Sequence, residues 1–344
     1  MMNKVMLAVL KILERQKGII GSGELARQLV LHGIDLKERS VRYHLKFMDQ
    51  YGYTRAFGKR GRKITEKGRA ELRNAFVSQK VGFVISKVET LSYLADFDLD
   101  TLQGNVIINV SFFQQGKLEK IMRILKPAFS SPYVTSDRVF LAGPGETIGD
   151  IVIPEGKIGL ATVCSVTING IFLKAGIPIT SRFGGVVEIS GNGFRRFTSL
   201  ISYAGSSLDP HEIFIKGRMA DVLGAVRNGE GGVLASFREI PTVCLEKARG
   251  LIREMAKKGI GGMILLGEPN KPLLELSPEI DKAGLVVMGG LNPVAVAEWC
   301  GIPTENEPMA TLFEFSRLEK FKPVYGRVSG NIKDGASKLA ASAA

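Results

Sequence analysis

Two short stretches near the start of the chain concentrate cations that could bind phosphate groups. Residues 59–63 hold four cations in five positions, and residues 37–46 hold four more. Lysine and arginine at this density suit the backbone phosphates of a nucleic acid. The candidate contacts are Lys37, Arg39, Ser40, Arg42, Tyr43, His44, Lys46, Lys59, Arg60, Arg62 and Lys63. The alternative is a basic solvated surface without a partner.

The net charge of the chain is concentrated in its first part. The 344 residues carry a formal net charge of +12. Residues 1–80 hold 18 basic and 7 acidic side chains, whereas the rest of the chain holds 28 and 27. A basic segment on a nearly neutral remainder is typical of proteins that bind polyanions. We therefore expect double-stranded DNA as a partner.

Cysteine and histidine usage argues against several kinds of site. The three cysteines, Cys164, Cys244 and Cys300, form no CxxC pair, and the three histidines are far apart in sequence. A disulfide framework, a zinc site and a Ser-His-Asp triad are therefore not expected, nor is a cofactor. No run of 18 apolar residues occurs, so the sequence predicts no membrane span. We expect a reducing, cytoplasmic location.

Helical periodicity and turn residues indicate which helix and which hairpin carry these cations. Apolar spacing predicts a helix over 3–16 and a second between Ser22 and Gly33. Val41, Leu45 and Met48 mark the inner face of a third helix over about 37–50, and the basic stretch around 58–63 has the glycines of a hairpin tip. The sequence thus predicts a winged helix-turn-helix over 1–76, with its third helix in the major groove of DNA.

The rest of the chain contains an internal repeat. The stretches 160–164 and 174–178 recur 125 residues later at 285–289 and 299–303. Each copy alternates in the order β-α-β-β-α-β, which is typical of a ferredoxin-like unit. We therefore expect an α+β fold whose larger part, 104–321, is a duplicated ferredoxin-like (βαββαβ) body. The predicted segments are a linker with a helix at 77–103, units at about 104–190 and 232–318, a glycine-rich interlude at 191–231, and a loose tail at 322–344.

Taken together, these motifs resemble the NrpR family of archaeal nitrogen-regulatory repressors, which also has bacterial members. The matching segments are 38–45, 61–68, 158–165, 174–178, 183–185, 207–210, 237–241, 267–270 and 289–293. The resemblance covers roughly 1–320. It implies a DNA-binding repressor of nitrogen-assimilation genes that is released from its operator by 2-oxoglutarate. A nitrogen-signalling protein is a further partner to test.

The resemblance also bears on the oligomeric state. Members of the family carry one or two copies of the regulatory part, and this chain has one. Two chains would then be needed to present two recognition helices to a two-fold operator. We therefore expect a homodimer.

A small anionic effector such as 2-oxoglutarate needs cations, hydroxyls and free backbone N–H groups. Strand-to-helix junctions at equivalent points of the repeat would supply the N–H groups from helix N-termini. The effector candidates are Thr162, Cys164, Ser165, Gly289, Gly290 and Asn292 at the junctions, with Lys174, Arg182 and Arg238 as charge partners. The alternatives are strand-end hydrogen bonds for the hydroxyls, a small apolar role for the thiol and close packing for the glycines.

An alternative function is that of a metabolite-converting enzyme fused to a DNA-binding domain, because ferredoxin-like folds host many activities. No set of nucleophile, metal ligands or cofactor fingerprint accompanies the repeat. The sequence therefore favours a ligand-controlled repressor without catalytic activity.

Overall fold

The structure, a computed structural model, describes residues 4–16, 18–31, 33–74 and 82–329. The chain divides into two compact units, Met1–Val81 and Gly82–Ala344. We call the first unit the head and the second the body.

The head is a winged helix-turn-helix. It contains α1 (Lys4–Gln16), α2 (Ser22–Leu31), α3 (Glu38–Gln50), β1 (Thr54–Ala56), β2 (Arg62–Ile64) and α4 (Glu66–Asn74). Val41, Leu45 and Met48 are fully buried, which confirms the predicted inner face of α3. The strands β1 and β2 pair antiparallel and form the predicted wing.

The turn between the first two helices holds the wing in place. Ile20 exchanges backbone hydrogen bonds with Arg62, at 2.9 Å in each direction. Gly61 approaches the Ile20 carbonyl so closely that a Cβ would collide with it, and its φ of +125° also favours glycine. The glycine in the basic stretch is therefore required by this approach, and it sets the path of the wing.

The body begins with α5 (Phe83–Leu94), the helix predicted within the linker. Its strands are β3 (Asn105–Gln114), β4 (Arg138–Ala142), β5 (Thr147–Ile148), β6 (Ile151–Val152), β7 (Lys157–Val163), β8 (Thr180–Ser190), β9 (Gly193–Ser202), β10 (Gly231–Pro241), β11 (Ile264–Pro269), β12 (Lys282–Met288), β13 (Glu305–Glu314) and β14 (Glu319–Lys320). Its other helices are α6 (Leu118–Phe129), α7 (Val166–Lys174), α8 (Pro210–Lys216), α9 (Val222–Asn228), α10 (Leu245–Lys257), α11 (Asn292–Trp299) and α12 (321–329).

Two five-stranded sheets exchange a strand between the two repeats. Their strand orders are β13-β3-β7-β4-β14 and β11-β12-β10-β8-β9. The last strand of the first repeat, β8, pairs with β10, and the last strand of the second, β13, pairs with β3. The predicted blocks 104–190 and 232–318 therefore do not form separate sheets. Periodicity predicts which face of a strand is buried, but it does not identify the neighbouring strand.

Each apolar core of the body draws on both repeats. The first contains Leu160 and Val233 together with residues of α6 and α11. The second contains Val163 and Leu285 together with residues of α7 and α10. Because the strands cross over and the cores are shared, neither repeat buries its apolar surface alone.

Two stretches are more ordered than predicted. The interlude 191–231 contains β9, α8 and α9. The predicted loose tail, 322–344, begins within α12, and its Val324 is 3% exposed in the first core. Phe321, the residue before the predicted tail, stacks on Phe129 with ring centroids 4.1 Å apart. Residues 330–344 of the tail lie outside the described residues. Short segments show too few apolar side chains for a clear period, so their order depends on packing against the body.

Within the described residues, no helix has the length and apolar character needed to cross a membrane.

Candidate functional site

The outer face of α3 carries most of the predicted nucleic-acid contacts of the helix. Exposed side chains on or next to this face are Lys37, Arg39, Arg42, Tyr43 and Lys46, while Ser40 and His44 are half-buried. At the wing, Lys59 and Arg60 are exposed, and Arg62 and Lys63 are half-buried. The head thus presents cations both on its recognition helix and at the tip of its hairpin.

Two of these cations already have acidic partners. Arg42 pairs with Glu38 one turn earlier at 2.7 Å, and Arg62 Nε lies 2.8 Å from Asp49 Oδ2. The Arg62 pair is about three-quarters buried and connects the wing to α3. Arg62 is therefore a structural link within the head, whereas Lys59 and Arg60 extend from the wing without an ion pair among the described residues.

An exposed aromatic row runs along α3 beside the cations. Tyr43, Phe47 and Tyr51 are spaced four residues apart, with ring centroids 6.1 and 5.6 Å from one another. Tyr51 also stacks on Tyr53 just before the wing. Only Tyr43 was assigned from the sequence. The i, i+4 spacing was the available signal for the other two.

In the body, the two strand-to-helix junctions of the repeat touch each other, as the repeat predicts. The Cys164 N–H donates to the Ile107 carbonyl, and the equivalent Gly289 N–H donates to the Leu234 carbonyl, both at 2.8 Å. A Cβ on Gly290 would stand only 3.1 Å from the α-carbon of Cys164. The N-termini of α7 and α11 therefore lie on either side of one small region, which we call the junction.

Arg238 lies beside this region, and no acidic side chain among the described residues forms an ion pair with it. It is 1% exposed, and its guanidinium donates to the Ser165 carbonyl and hydroxyl at 3.0 Å, to Asn169 Oδ1 at 2.5 Å and to Ser236 Oγ at 3.0 Å. All four acceptors are neutral oxygens, and burial lowers the pKa of Arg238 to about 10. A buried cation held only by neutral groups favours an anion nearby.

A small cavity of about 10 Å³ lies at the junction. Its lining residues are Asn109, Cys164, Ser165, Val166, Tyr203, Asp209, His211, Gly290, Leu291, Pro308 and Met309. Burial raises the pKa of Cys164 to about 11, so the side chain is a neutral thiol at physiological pH. Burial also lowers the pKa of His211, whose Nε2 lies 3.0 Å from the Ala235 carbonyl oxygen.

Sequence reasoning missed several of these lining residues. Tyr203, Asp209 and His211 lie in or beside the interlude, where no periodic pattern marked them as part of a site. A further missed residue is Lys87 on α5, whose Nζ donates to the Pro308 carbonyl at 2.9 Å. Lys87 and Arg238 both act on Cys164 electrostatically and favour its thiolate, so two cations flank the cavity.

Four of the nine predicted effector contacts have other roles. The side-chain amide of Asn292 accepts a hydrogen bond from the Leu234 N–H and donates one to the Tyr133 carbonyl. Thr162 Oγ1 accepts a long hydrogen bond of 3.4 Å from Asn109. Lys174 is exposed at the far end of α7, about 13 Å of helix from the junction.

Arg182 pairs with Glu239 and Glu279 beside a separate cavity of about 440 Å³. The candidates that the structure gathers at the junction are Cys164, Ser165, Arg238, Gly289 and Gly290.

Comparison with protein families covers both units. Residues 81–320 match the family described as NrpR regulatory domains NRD1 and 2. Residues 7–72 match the family described as the ribonuclease R winged-helix domain.

Relatives and a solved structure agree with these matches. The chain is 34% identical to a protein of Methanosarcina mazei named global nitrogen regulator NrpRI, over 92% of this chain and 97% of that protein. It is 32% identical to the global nitrogen regulator NrpR of Methanococcus maripaludis over 91% of this chain, which spans only 54% of that longer protein.

A crystal structure described as a nitrogen repressor-like protein from Methanococcus jannaschii superposes with a TM-score of 0.58 at 32% identity, over 69% of this chain and 98% of that one. The family match over most of the body and the identity over nearly the full length of a relative lead to one conclusion: the chain belongs to the NrpR family.

Proposed function

We propose that this protein is a transcriptional repressor of nitrogen-assimilation genes whose binding to operator DNA is controlled by a small anionic metabolite. The observation that carries the proposal is the combination of a winged helix bearing exposed cations with a body of the NrpR regulatory family. The relatives are named as regulators, which favours this function over the alternative of a metabolite-converting enzyme.

The DNA-binding step uses the outer face of α3 in the major groove and the wing on the phosphate backbone. Arg39 and Lys46 on α3 and Lys59 and Arg60 on the wing supply exposed cations. Tyr43 extends from the same face of α3 and is 65% exposed, so it is available for contact with the bases or sugars. A homodimer presents two such faces to a two-fold operator.

The control step uses the junction of the two repeats, with 2-oxoglutarate as the proposed ligand. The neutral partners of Arg238 leave its charge available to a carboxylate, and the N-termini of α7 and α11 add the positive ends of their dipoles. The ligand must bind better to the form that does not bind DNA, since equal affinity for both forms would shift nothing.

We also propose that the body arose by duplication of a ferredoxin-like unit. In the first sheet, β13-β3-β7-β4 has the strand order 4-1-3-2 of such a unit, provided that β13 counts as the fourth strand. In the second sheet, β11-β12-β10-β8 reads 2-3-1-4 with β8 as the fourth. The exchanged strands thus complete two equivalent sheets.

The test is operator binding with and without 2-oxoglutarate. A preferred duplex is first selected from random DNA with the full chain, and its affinity is then measured by fluorescence anisotropy. We expect 2-oxoglutarate to weaken the affinity about 5- to 150-fold, the range of typical allosteric coupling. A five-carbon keto acid without the second carboxylate is the matched control and should have no effect. Equal affinity in the presence of 2-oxoglutarate would contradict the proposed control.

A further inference from the structure

The cavity at the junction is too small for the proposed ligand. Its volume of about 10 Å³ is roughly the space that one water molecule requires. A dicarboxylate with a five-carbon chain is several times larger. Binding at Cys164 and Arg238 therefore requires one wall of the site to move.

Among the helices around the junction, α5 is the most exposed to solvent. Val84 and Val88 of α5 belong to one apolar cluster with Cys164 and with Met309. The opposite side of α5 faces solvent, where Tyr93 is 83% exposed. By contrast, α7 and α11 are buried along almost their whole length. Moving α5 separates it from α7 and β13, whereas moving α7 or α11 would open one of the two cores that the repeats share.

Empty space also borders α5. The cavity of about 440 Å³ beside Arg182 is lined by Ile85, Val88, Glu89 and Ser92 of this helix. Val88 therefore belongs both to the cluster around Cys164 and to the wall of the larger cavity. A shift of α5 into that cavity would enlarge the small one without displacing the strands of either sheet.

The contact between α5 and β13 is well suited to rearrange. Lys87 reaches into the body and donates to the carbonyl of Pro308, a neutral acceptor, while the carboxylates of Asp209, Glu212 and Glu307 act on its charge electrostatically. The next residue, Met309, is buried with a φ of +49°, a conformation that is rare for a residue with a side chain. Its N–H is held by Asn109 Oδ1 at 3.1 Å. A carboxylate is a stronger partner for an ammonium group than a peptide carbonyl.

On the basis of the proposed function, we propose that Lys87 binds one carboxylate of the ligand and that α5 is the wall that moves when the ligand enters. Arg238 holds the other carboxylate, so the two cations that act on Cys164 match the two charges of a dicarboxylate. Because α5 is the first described element of the body, its movement changes the part of the body that follows the head in sequence. Ligand binding and DNA release are then linked through one helix.

The test compares Lys87→Met with Lys120→Met, which removes the same charge from an exposed position on α6. Calorimetry with 2-oxoglutarate and anisotropy with the selected duplex are carried out on the full chain. We expect Lys87→Met to weaken 2-oxoglutarate binding about 10- to 100-fold, as for the loss of a charge-assisted hydrogen bond. Unliganded operator binding stays unchanged, and Lys120→Met behaves like the parent. If Lys87→Met does not fold, Lys87→Gln serves as the second variant.

Hydrogen exchange followed by mass spectrometry tests the movement itself. We expect 2-oxoglutarate to raise amide exchange several-fold in α5, because the helix leaves its packed face, while exchange in α6 stays the same. Unchanged or slower exchange in α5 would show that another wall moves. A parent that binds no 2-oxoglutarate would overturn the proposed control by this ligand and this inference with it. A parent that responds, with Lys87→Met responding equally, would overturn this inference alone.

Discussion

Gly290 packs directly against the carbonyl oxygen of Val163, so the two junctions of the repeat meet through backbone alone. A Cβ at Gly290 would collide with that oxygen and stand 2.9 Å from Asn109 Nδ2. We therefore expect Gly290→Ala to destabilise the body by about 1–3 kcal/mol. Urea unfolding followed by the fluorescence of Trp299, the single tryptophan, measures this. Gly250→Ala on α10, where nothing lies within 4 Å, is the control and should stabilise by about 0.5–1 kcal/mol. Equal effects of the two substitutions would argue against the close contact.

The Arg62–Asp49 ion pair predicts a stability effect from a residue that the sequence assigned to DNA. Arg62→Ala should lower the stability of the head by about 1 kcal/mol, because the pair is mostly shielded from solvent. Asp49→Ala and the double variant complete a thermodynamic cycle that isolates the pair. Arg60→Ala at the exposed wing tip should weaken DNA binding and leave stability unchanged. If Arg62→Ala reduces DNA affinity without any loss of stability, the pairing with Asp49 is unimportant.

DNA binding through the head should be strongly salt-dependent. With about six phosphate contacts, affinity for duplex DNA falls roughly 10³-fold between 50 and 200 mM salt. Lys59→Ala together with Arg60→Ala should reduce the slope of log affinity against log salt by about 1.8, since each phosphate contact contributes about 0.9. Anisotropy titrations at several salt concentrations give the slope. A salt-independent affinity would rule out phosphate contacts by the cations of α3 and the wing.

The stacking of Phe321 on Phe129 predicts that the first residue of α12, just before the predicted tail, stabilises the body. Phe321 is 4% exposed, so Phe321→Ala removes a buried ring and should cost about 3–5 kcal/mol. The neighbouring Lys322 is exposed, and Lys322→Ala should change stability by less than about 0.5 kcal/mol. The same urea titration checks both variants. A small effect of Phe321→Ala would show that the start of α12 adds little to the core of the body.

The buried His211 predicts a loss of stability in mild acid. Burial lowers its pKa in the folded protein, so the unfolded chain binds the proton more readily. Stability is therefore unaffected well above the unfolded pKa of about 6.5 and falls as the pH drops below it. Unfolding measured at pH 7 and pH 5 should show a smaller decrease for His211→Gln than for the parent. His44→Gln in the head is the control and should lose as much stability as the parent. If His211→Gln also loses as much stability as the parent, groups other than His211 are responsible.

The sequence by itself determined the elements whose signals are local. The inner face of α3, the wing and the helix at the start of the body follow from apolar spacing and glycine positions, and the structure confirms them. The repeat offset also places Cys164 and Gly289 at equivalent points, and Gly290, the residue after Gly289, packs against Cys164 in the structure. Apolar spacing and glycine positions involve residues only a few positions apart, so the sequence alone shows them.

Only the tertiary structure decided which distant groups are partners. The exchange of β8 and β13, the pairing of Arg62 with Asp49 and the approach of Lys87 to Pro308 have no local signal. The sequence predicts only that Lys87 belongs to a linker. In the structure it contacts Pro308, which is 221 residues away in sequence. The alternation of apolar and polar residues in a strand is the same whichever strand it pairs with. The type of a charged residue likewise does not indicate which residue it will pair with. Both choices depend on distances that exist only after the chain has packed, because pairing energies fall off within a few ångströms.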